Sequence, residues 1–298
     1  MNLINRSPAV HFFLRLIAPV AGLMPRTVES LRYLLAYKTR RRYRHPRDAQ
    51  DRIMADYFQA IADPHTRRLY GDLADKYAVR SYVADRIGER YLTRLYGTWD
   101  NENDIDFDAL PVPCVIKTTN GCGTNIIIRS HDEIKPDKMR AQLHRWLVYP
   151  YGKLTGQPHY SAIKPRIIAE EFLIQDPGAD TLPYDYKFFC FDGEPQLILF
   201  YAGRRVNSHF TYNNVYDLDW NPIAGTANVP CEQEMPRPEA LEDMVRCARE
   251  LARGLRFARV DFYDIGPRPV FGEITLTPDI TANFTPAFKA KMLGYYKN

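Results

Sequence analysis

The sequence predicts an α+β fold in which a helical N-terminal region precedes α+β lobes, and three observations predict it. Apolar residues recur at spacings of three and four through residues 27–100, as in amphipathic helices. From residue 111 the pattern changes to short β-prone runs separated by small-residue loops. The pair Asp192-Gly193, between two β-prone runs, is a strong signal of a β-hairpin.

The elements follow from these patterns in chain order. Helices are predicted over 27–100, with a break at Asp63-Pro64, over 136–150 and over 237–254. Strands are predicted over 111–117, 126–129 and 166–173, and hairpins over 185–201 and 259–275. We divide the chain into an N-terminal arm (1–50), a helical region (51–110), a first lobe (111–182) and a second lobe (183–298).

The composition indicates an ordered globular protein, with 298 residues of which 45% are hydrophobic and 13% aromatic. Five scattered cysteines without a Cys-x-x-Cys pair argue against a zinc site and a disulfide scaffold, and favour a reducing cytoplasm. Cys114 and Cys190 lie in apolar runs and are predicted core residues. Because no motif of a covalent nucleophile is present, chemistry based on bound phosphate and metal is favoured.

The N-terminal arm is strongly basic. Ten Arg and Lys residues against two acidic ones give residues 1–50 a formal charge of +8, which leaves −4 for the rest of the chain. The apolar run 8–24 contains Arg15 and Pro19, and it falls short of the roughly 20 apolar residues that cross a bilayer.

Three alternatives stay open for this arm. Its Phe/Leu face could pack on the protein core and leave Arg15 in water. Residues 1–47 could instead contact a membrane surface, with an Arg-rich cluster over 38–47 on anionic lipid and four inserted side chains, Phe12, Phe13, Leu16 and Ile17. Nucleic-acid contact by the cluster is the third alternative, and we do not expect a nucleic-acid partner.

Two acidic residues stand in apolar runs of the last predicted hairpin. Asp261 and Glu273 would face each other across it, and carboxylates at that range repel each other. A buried carboxylate is costly unless it is paired or binds a metal. A divalent cation between the two would resolve both problems; the alternative is that both side chains point into solvent.

Two further patterns suit phosphate and nucleotide binding. Lys117 precedes a loop with Gly121 and Gly123, whose backbone N–H groups could surround a phosphate, although an ordinary β-turn is the alternative. Asp185 and Lys187 project to one face of a strand, where they form an ion pair or bind ribose and phosphate. Glu170 and Glu171 end a predicted strand, and a backbone that leaves the sheet there could present N–H and C=O groups to the edge of a base; the alternative for both residues is a solvated strand end.

Taken in this order, the pieces resemble the ATP-grasp superfamily, and most closely its TupA-like branch, which is associated with teichuronopeptide and surface-polysaccharide biosynthesis. The resemblance covers roughly residues 50–290. It is carried by the stretches 75–83, 87–92, 105–111, 115–125, 165–171, 185–193, 216–221 and 259–275.

The resemblance implies an ATP-grasp fold, in which two α+β lobes clamp ATP together with Mg²⁺. The implied ATP-binding residues are Lys76 and Lys117 on the phosphates, Gly121, Gly123 and Asn125 in a lid over them, Glu170 and Glu171 with the following backbone on adenine, and Asp185 on ribose. Arg259 would stabilise the acyl phosphate and the tetrahedral intermediate, with Lys187 as a second catalytic candidate. Asp261 and Glu273 would hold Mg²⁺.

The chain departs from the family pattern at the second of the two acidic residues that would bind the metal. The usual Glu-x-Asn is replaced by Glu273-Ile274-Thr275. The Thr275 hydroxyl is a weaker magnesium ligand than an amide carbonyl, but it can still reach a metal or a bound water. A second departure is Pro278-Asp279, where the family often has Pro-Gly.

The implied function is an ATP-dependent carboxylate–amine ligase that works through an acyl phosphate. It would join an amino acid or peptide to a cell-surface glycan precursor or a related metabolite, in the cytoplasm at the inner face of the membrane. The alternatives are a kinase, a non-catalytic nucleotide-binding scaffold and a glycosyltransferase. The Asp-x-Asp pairs at 104–106 and 217–219 formally fit a glycosyltransferase, but we interpret them as solvated loop acids.

Overall fold

A computed structural model describes residues 8–175, 182–203, 212–226, 235–266 and 268–297. Within these ranges the chain forms nine α-helices and nine strands. The helices are α1 (Pro8–Leu23), α2 (Pro25–Tyr37), α3 (Ala49–Ala60), α4 (Pro64–Ala74), α5 (Val79–Arg86), α6 (Pro136–Leu147), α7 (Tyr151–Thr155), α8 (Leu241–Ala252) and α9 (Pro286–Lys291). The strands are β1 (Leu95–Trp99), β2 (Cys114–Thr118), β3 (Asn125–Ile128), β4 (Ile167–Glu171), β5 (Asp185–Phe191), β6 (Glu194–Ala202), β7 (Tyr212–Tyr216), β8 (Phe257–Asp264) and β9 (Pro269–Thr275).

The chain packs as two compact units, each with its own antiparallel sheet. Unit 1 contains the described residues of Met1–Arg41, Ala60–Val79 and Thr93–Phe172. Unit 2 contains those of Arg42–Gln59, Arg80–Leu92 and Leu173–Asn298. An α+β architecture with N-terminal helices is therefore confirmed, whereas the division into four parts stays a prediction.

The sheet of unit 1 has the strand order β1-β4-β2-β3. In the central strands β4 and β2, every second residue lies on one face of the sheet, and that face is apolar, as expected where a sheet packs against a core. That core includes Ile116, Ala169 and, from α6, Leu143 and Trp146. The opposite face of the same two strands carries Lys117 and Glu170.

The first two helices of unit 1 leave an apolar surface uncovered. On α1, Leu14 and Ala18 are buried, whereas the four side chains predicted to insert into a membrane are all exposed: Phe12, Phe13, Leu16 and Ile17. The alternative in which the Phe/Leu face packs on the core is therefore wrong for these four residues. No helix in the described part of the chain has the length and apolar character needed to cross a membrane.

The sheet of unit 2 has the strand order β7-β6-β5-β8-β9 and is covered on both faces. Helix α8 packs against β5, β6 and β8 through its buried side, which includes Met244 and Leu251. On the other face, Phe189 and Phe257 pack with Ile53 of α3 and with the C-terminal segment around Phe284. The predicted hairpin is confirmed, because β5 and β6 meet at Asp192-Gly193.

A β-bulge distorts the pairing of β8 with β9. Asp261 lies opposite Glu273, but the next residue, Phe262, lies opposite Phe271. Gly272 is therefore an extra residue on β9, as in a β-bulge. A Cβ atom at Gly272 would lie 3.1 Å from the Asp261 carbonyl oxygen, so glycine suits this close approach.

Two strands differ from the predictions. Residues 95–99 were expected within the helical region 27–100, but they form β1, which pairs with β4. The segment Leu-Tyr-Gly-Thr-Trp is rich in aromatic and β-branched residues and holds a glycine, which disfavours a helix. Strand β7 was not predicted; it adds to the edge of the unit 2 sheet by pairing with β6.

Candidate active site

A capped turn in unit 1 presents Lys76 to the glycine-containing loop. The buried Asp75 carboxylate accepts hydrogen bonds from the N–H groups of Tyr77 and Ala78, at 2.8 and 3.2 Å. Burial raises the pKa of Asp75, and the two N–H groups oppose that rise. The turn places Lys76 Nζ 2.5 Å from the carbonyl oxygen of Gly121. The structure thus brings together two parts of the predicted phosphate site.

The loop that follows β2 is held at its start and exposed at its tip. Asn120 Nδ2 donates to the carbonyl oxygens of Trp146 and Leu147 at the end of α6, both at 3.1 Å. Gly123 and Asn125 are exposed. Gly123 has a φ of +73°, which glycine adopts without steric cost. Asn120 belongs to the loop identified from sequence, but its anchoring contact was not predicted.

Lys117 and Glu170 form a largely buried ion pair on the second face of the unit 1 sheet. Lys117 Nζ lies 2.8 Å from Glu170 Oε2, and Thr93 Oγ1 donates to Glu170 Oε1 at 2.8 Å. Glu170 is only 5% exposed, so the alternative of a solvated strand end is wrong for this residue. Thr93 was missed, because a lone threonine outside any motif carries no sequence signal.

Glu171 is held differently from Glu170. Its carboxylate accepts the backbone N–H of Arg94 at 2.7 Å, and its own N–H donates to the Arg94 carbonyl at 3.0 Å. Both contacts fix the main chain at the end of β4. Residues 176–181, part of the backbone expected to contact adenine, lie outside the described residues.

In unit 2 a row of charged residues crosses three adjacent strands. Lys187 on β5 lies directly opposite Asp261 on β8, and Asp261 lies directly opposite Glu273 on β9. Lys187 Nζ is 2.6 Å from Asp261 Oδ2 and 2.7 Å from Asp185 Oδ2. The predicted ion pair of Asp185 with Lys187 is confirmed. Lys187 also contacts Asp261, one of the two candidate metal ligands.

Arg259 lies between the two facing carboxylates. Its Nε and Nη2 donate to Asp261 at 2.7 and 2.6 Å, and Nη2 also donates to Glu273 Oε1 at 2.5 Å. Burial lowers the pKa of Arg259, but the charges of Asp261 and Glu273 outweigh it and raise that pKa. The expected repulsion between the carboxylates is thus offset here by a guanidinium group, a contact that was not predicted from the sequence.

The cluster as a whole is negative. Asp185, Asp261 and Glu273 face Lys187 and Arg259, which leaves a formal charge of −1 when all five are ionised. Burial raises the pKa of Asp261, and Arg259 and Lys187 oppose that rise. The Asp261 side chain is 2% exposed and that of Glu273 is 52% exposed. The alternative that both acids point into solvent is therefore wrong for Asp261.

The donor atoms of this cluster suit Mg²⁺. Carboxylate oxygens from Asp261 and Glu273 are hard ligands, and the Thr275 hydroxyl lies 2.9 Å from Glu273 Oε1. In the described part of the chain no group of three or more His, Cys, Asp or Glu residues could hold a metal. Two carboxylates are nevertheless sufficient, because Mg²⁺ in nucleotide sites commonly completes its shell with phosphate oxygens and water.

The structure also shows where the remaining residues singled out in the sequence lie. Cys114 and Cys190 are fully buried, which confirms them as core residues. Asp104 is exposed. Asp217 accepts the backbone N–H groups of Asp219 and Asn221 in a turn. The interpretation of the two Asp-x-Asp pairs as loop acids is confirmed.

Comparison with known proteins yields one family. A family model described as TupA-like ATPgrasp matches residues 59–297. No curated protein matches the chain.

Three similar solved structures are ligases. The D-alanine–D-alanine ligase from Bacillus anthracis has 18% identity and a TM-score of 0.46, over 76% of this chain and 64% of that one. The L-amino acid ligase from Bacillus licheniformis has 14% identity and a TM-score of 0.44, over 74% and 46%. The ATP-grasp ligase PsnB, in a complex with minimal precursor, Mg and ADP, has 12% identity and a TM-score of 0.38, over 72% and 53%. This chain spans less than two thirds of each.

Proposed function

The chain belongs to the TupA-like ATP-grasp family, a family of the ATP-grasp ligase type, and from this premise we propose that it is an ATP-dependent carboxylate–amine ligase. A carboxylate oxygen of the acid substrate would attack the γ-phosphorus of ATP and release ADP, which gives an acyl phosphate. The amine nitrogen would then attack the acyl carbon, lose a proton and expel phosphate, which leaves an amide.

The observation that supports this proposal most is the charged row of unit 2. Lys187, Asp261 and Glu273 occupy directly opposed positions on three strands, with Arg259 bonded to both carboxylates. Phosphoryl transfer needs fixed cations and metal-binding oxygens more than it needs a nucleophilic side chain. This row supplies both kinds of group on one sheet face.

In this proposal unit 1 contributes phosphate and adenine contacts. Lys76 and Lys117 would neutralise phosphate oxygens, and the loop with Gly121, Gly123 and Asn125 would cover them. Glu170 would hold Lys117 in place through their 2.8 Å contact. Since the Glu170 and Glu171 carboxylates already accept hydrogen bonds, adenine would be bound by the main chain at the end of β4.

Unit 2 would contribute the ribose, catalytic and metal contacts. Asp185 would accept ribose hydroxyls, and Lys187 would bind a phosphate oxygen. Arg259 would stabilise negative charge on the acyl phosphate and on the tetrahedral intermediate. Asp261 and Glu273, with Thr275 beside them, would hold Mg²⁺, which when bound neutralises phosphate charge.

The substrates follow from the family resemblance. We propose that the acid or the amine is a cell-surface glycan precursor or a related metabolite, and that its partner is an amino acid or peptide. The enzyme would act in the cytoplasm, at the inner membrane face, where such precursors are assembled on lipid carriers.

A phosphate-release screen with ATP and Mg²⁺ tests the proposal. Amino acids and uronic-acid sugars would be offered in pairs, and ADP, phosphate and amide product measured together. The expected result is equal amounts of all three for at least one pair. Lys117→Ala and Asp261→Asn should abolish turnover, whereas Asp219→Asn, at an exposed loop acid, should not.

Other outcomes identify the alternatives. A stable phosphorylated product without amide would indicate a kinase. Release of a nucleoside diphosphate from a nucleotide sugar, without use of ATP, would indicate a glycosyltransferase. ATP binding without turnover for every pair would indicate a non-catalytic nucleotide-binding protein.

A further inference from the structure

We propose that α1 and α2 form a surface that binds an anionic lipid bilayer. The surface, called here the N-terminal apolar face, consists of ten side chains: Val10, Phe12, Phe13, Leu16, Ile17, Val20, Leu23, Met24, Leu31 and Leu35. The proposal concerns where the protein resides and does not rest on the proposed ligase activity.

The distribution of exposed apolar side chains singles out this face. In the described part of the chain twelve large hydrophobic side chains are exposed, and ten of them lie on this one helical segment. Phe12 is 68% exposed, Val20 66% and Leu23 82%. The other two, Val148 and Ile174, are far from it in sequence. A concentration of exposed apolar groups of this size marks a binding surface rather than ordinary surface composition.

The helix cannot rotate to hide these side chains, because its opposite side is already packed. His11, Leu14 and Ala18 are buried on α1, which contacts α7. Helix α2 is fixed by Arg32, whose Nη1 donates to the carbonyl oxygen of Thr155 at 2.9 Å. The packing of α1 and α2 within unit 1 therefore keeps the N-terminal apolar face exposed.

The charge on the segment decides which partner the face suits. Residues 8–41 carry six Arg and Lys residues and one acid, Glu29. That acid is buried and paired with Arg41 at 2.8 Å. The exposed charges of the segment are thus positive: Arg15, Arg26, Arg32, Lys38 and Arg40. Apolar side chains flanked by exposed cations match a bilayer with anionic headgroups, which offers both an apolar interior and negative charge.

The length of α1 determines how it would bind. Its 16 residues include Pro19, and no helix among the described residues could span a bilayer. With one side packed on unit 1 and the other exposed, α1 would lie in the plane of the interface and insert only its exposed side chains.

Vesicle flotation of the full-length protein tests the proposal. Vesicles of phosphatidylcholine with phosphatidylglycerol should bind the protein, and vesicles of phosphatidylcholine alone should bind it less. Phe13→Ser/Leu16→Ser/Val20→Ser removes one stripe of the face and should lower partitioning by about 100-fold or more. Arg15→Gln/Arg26→Gln should lower it by about thirtyfold on the anionic vesicles.

A control is available at Val148, an exposed apolar residue outside the face. Val148→Ser makes the same kind of chemical change elsewhere and should bind vesicles like the wild type. Because all the substituted positions are exposed, each variant should keep the melting temperature of the wild type.

Two results would overturn the proposal. One is equal flotation of the wild type and the triple-serine variant on anionic vesicles, including the case in which neither floats. The other is a vesicle-independent oligomer of the wild type that the triple-serine variant loses in light scattering, since the face would then bind a second copy of the chain.

Discussion

Asp261 and Glu273 face each other across β8 and β9, but only Asp261 is buried. Asp261→Asn would remove the charged hydrogen bonds that this buried carboxylate accepts from Arg259 and Lys187, and a hydrogen bond to a charged group contributes about 1.5–3 kcal/mol. Glu273→Gln affects a half-exposed group, so we expect a loss below about 1 kcal/mol. Urea unfolding measures both, while phosphate release should be lost in both variants.

This pair of variants separates a metal-binding role from a folding role. A fully active Glu273→Gln enzyme would contradict the assignment of Glu273 to Mg²⁺. Equal destabilisation by the two changes would contradict the difference in burial on which the prediction rests.

Lys117 and Glu170 should depend on each other in the same way. Lys117→Met removes the charged hydrogen bond that the 5%-exposed Glu170 accepts, and a hydrogen bond to a charged group contributes about 1.5–3 kcal/mol. The double variant Lys117→Met/Glu170→Gln removes both charges and should lose less than the sum of the single losses. Thermal unfolding measures the coupling. Strictly additive losses would show that the 2.8 Å contact does not contribute to stability.

At the scale of elements, the β5–β6 hairpin depends on its turn. Gly193 has a φ of +81°, a conformation that costs an L-residue about 1 kcal/mol, so Gly193→Ala should destabilise by about that amount. Gly294→Ala is the control, because its φ is not left-handed and its Cβ would meet no atom within 4 Å. Urea unfolding should show almost no loss for the control; an equal loss would contradict the role of the turn.

The elements that were predicted are those whose signals are local. The β5–β6 hairpin follows from an Asp-Gly turn between β-prone runs. The facing of Asp261 and Glu273 was also predicted, but it depends on the bulge at Gly272, because regular pairing from the turn would place Gly272 opposite Asp261. Strand β1 was not predicted although its residues are β-prone, because it is only five residues long and pairs with β4, far along the chain, rather than with a neighbouring strand. The Lys117–Glu170 contact joins residues 53 positions apart, so no local pattern could indicate it.

At the scale of the whole molecule, bound nucleotide should stabilise the fold. A ligand at a hundredfold excess over its Kd adds about 2.7 kcal/mol, which raises the Tm of a chain of this size by about 5 °C. We expect this shift with ATP and Mg²⁺ together, and a smaller one when EDTA removes the metal. Differential scanning fluorimetry measures both. Identical shifts with and without Mg²⁺ would contradict a metal held by Asp261 and Glu273.

The bulge at Gly272 has a consequence for the position of the two carboxylates. In a regular strand that kept Gly272 and the pairing of Phe271 with Phe262, Gly272 would lie opposite Asp261, and Glu273 would lie opposite Val260 on the other face of the sheet. Every charged side chain of the cluster would still be present in the sequence, yet the carboxylate pair would no longer exist. Sequence identity at the acidic positions is therefore not enough to preserve this site, because its geometry depends on a residue that has no side chain.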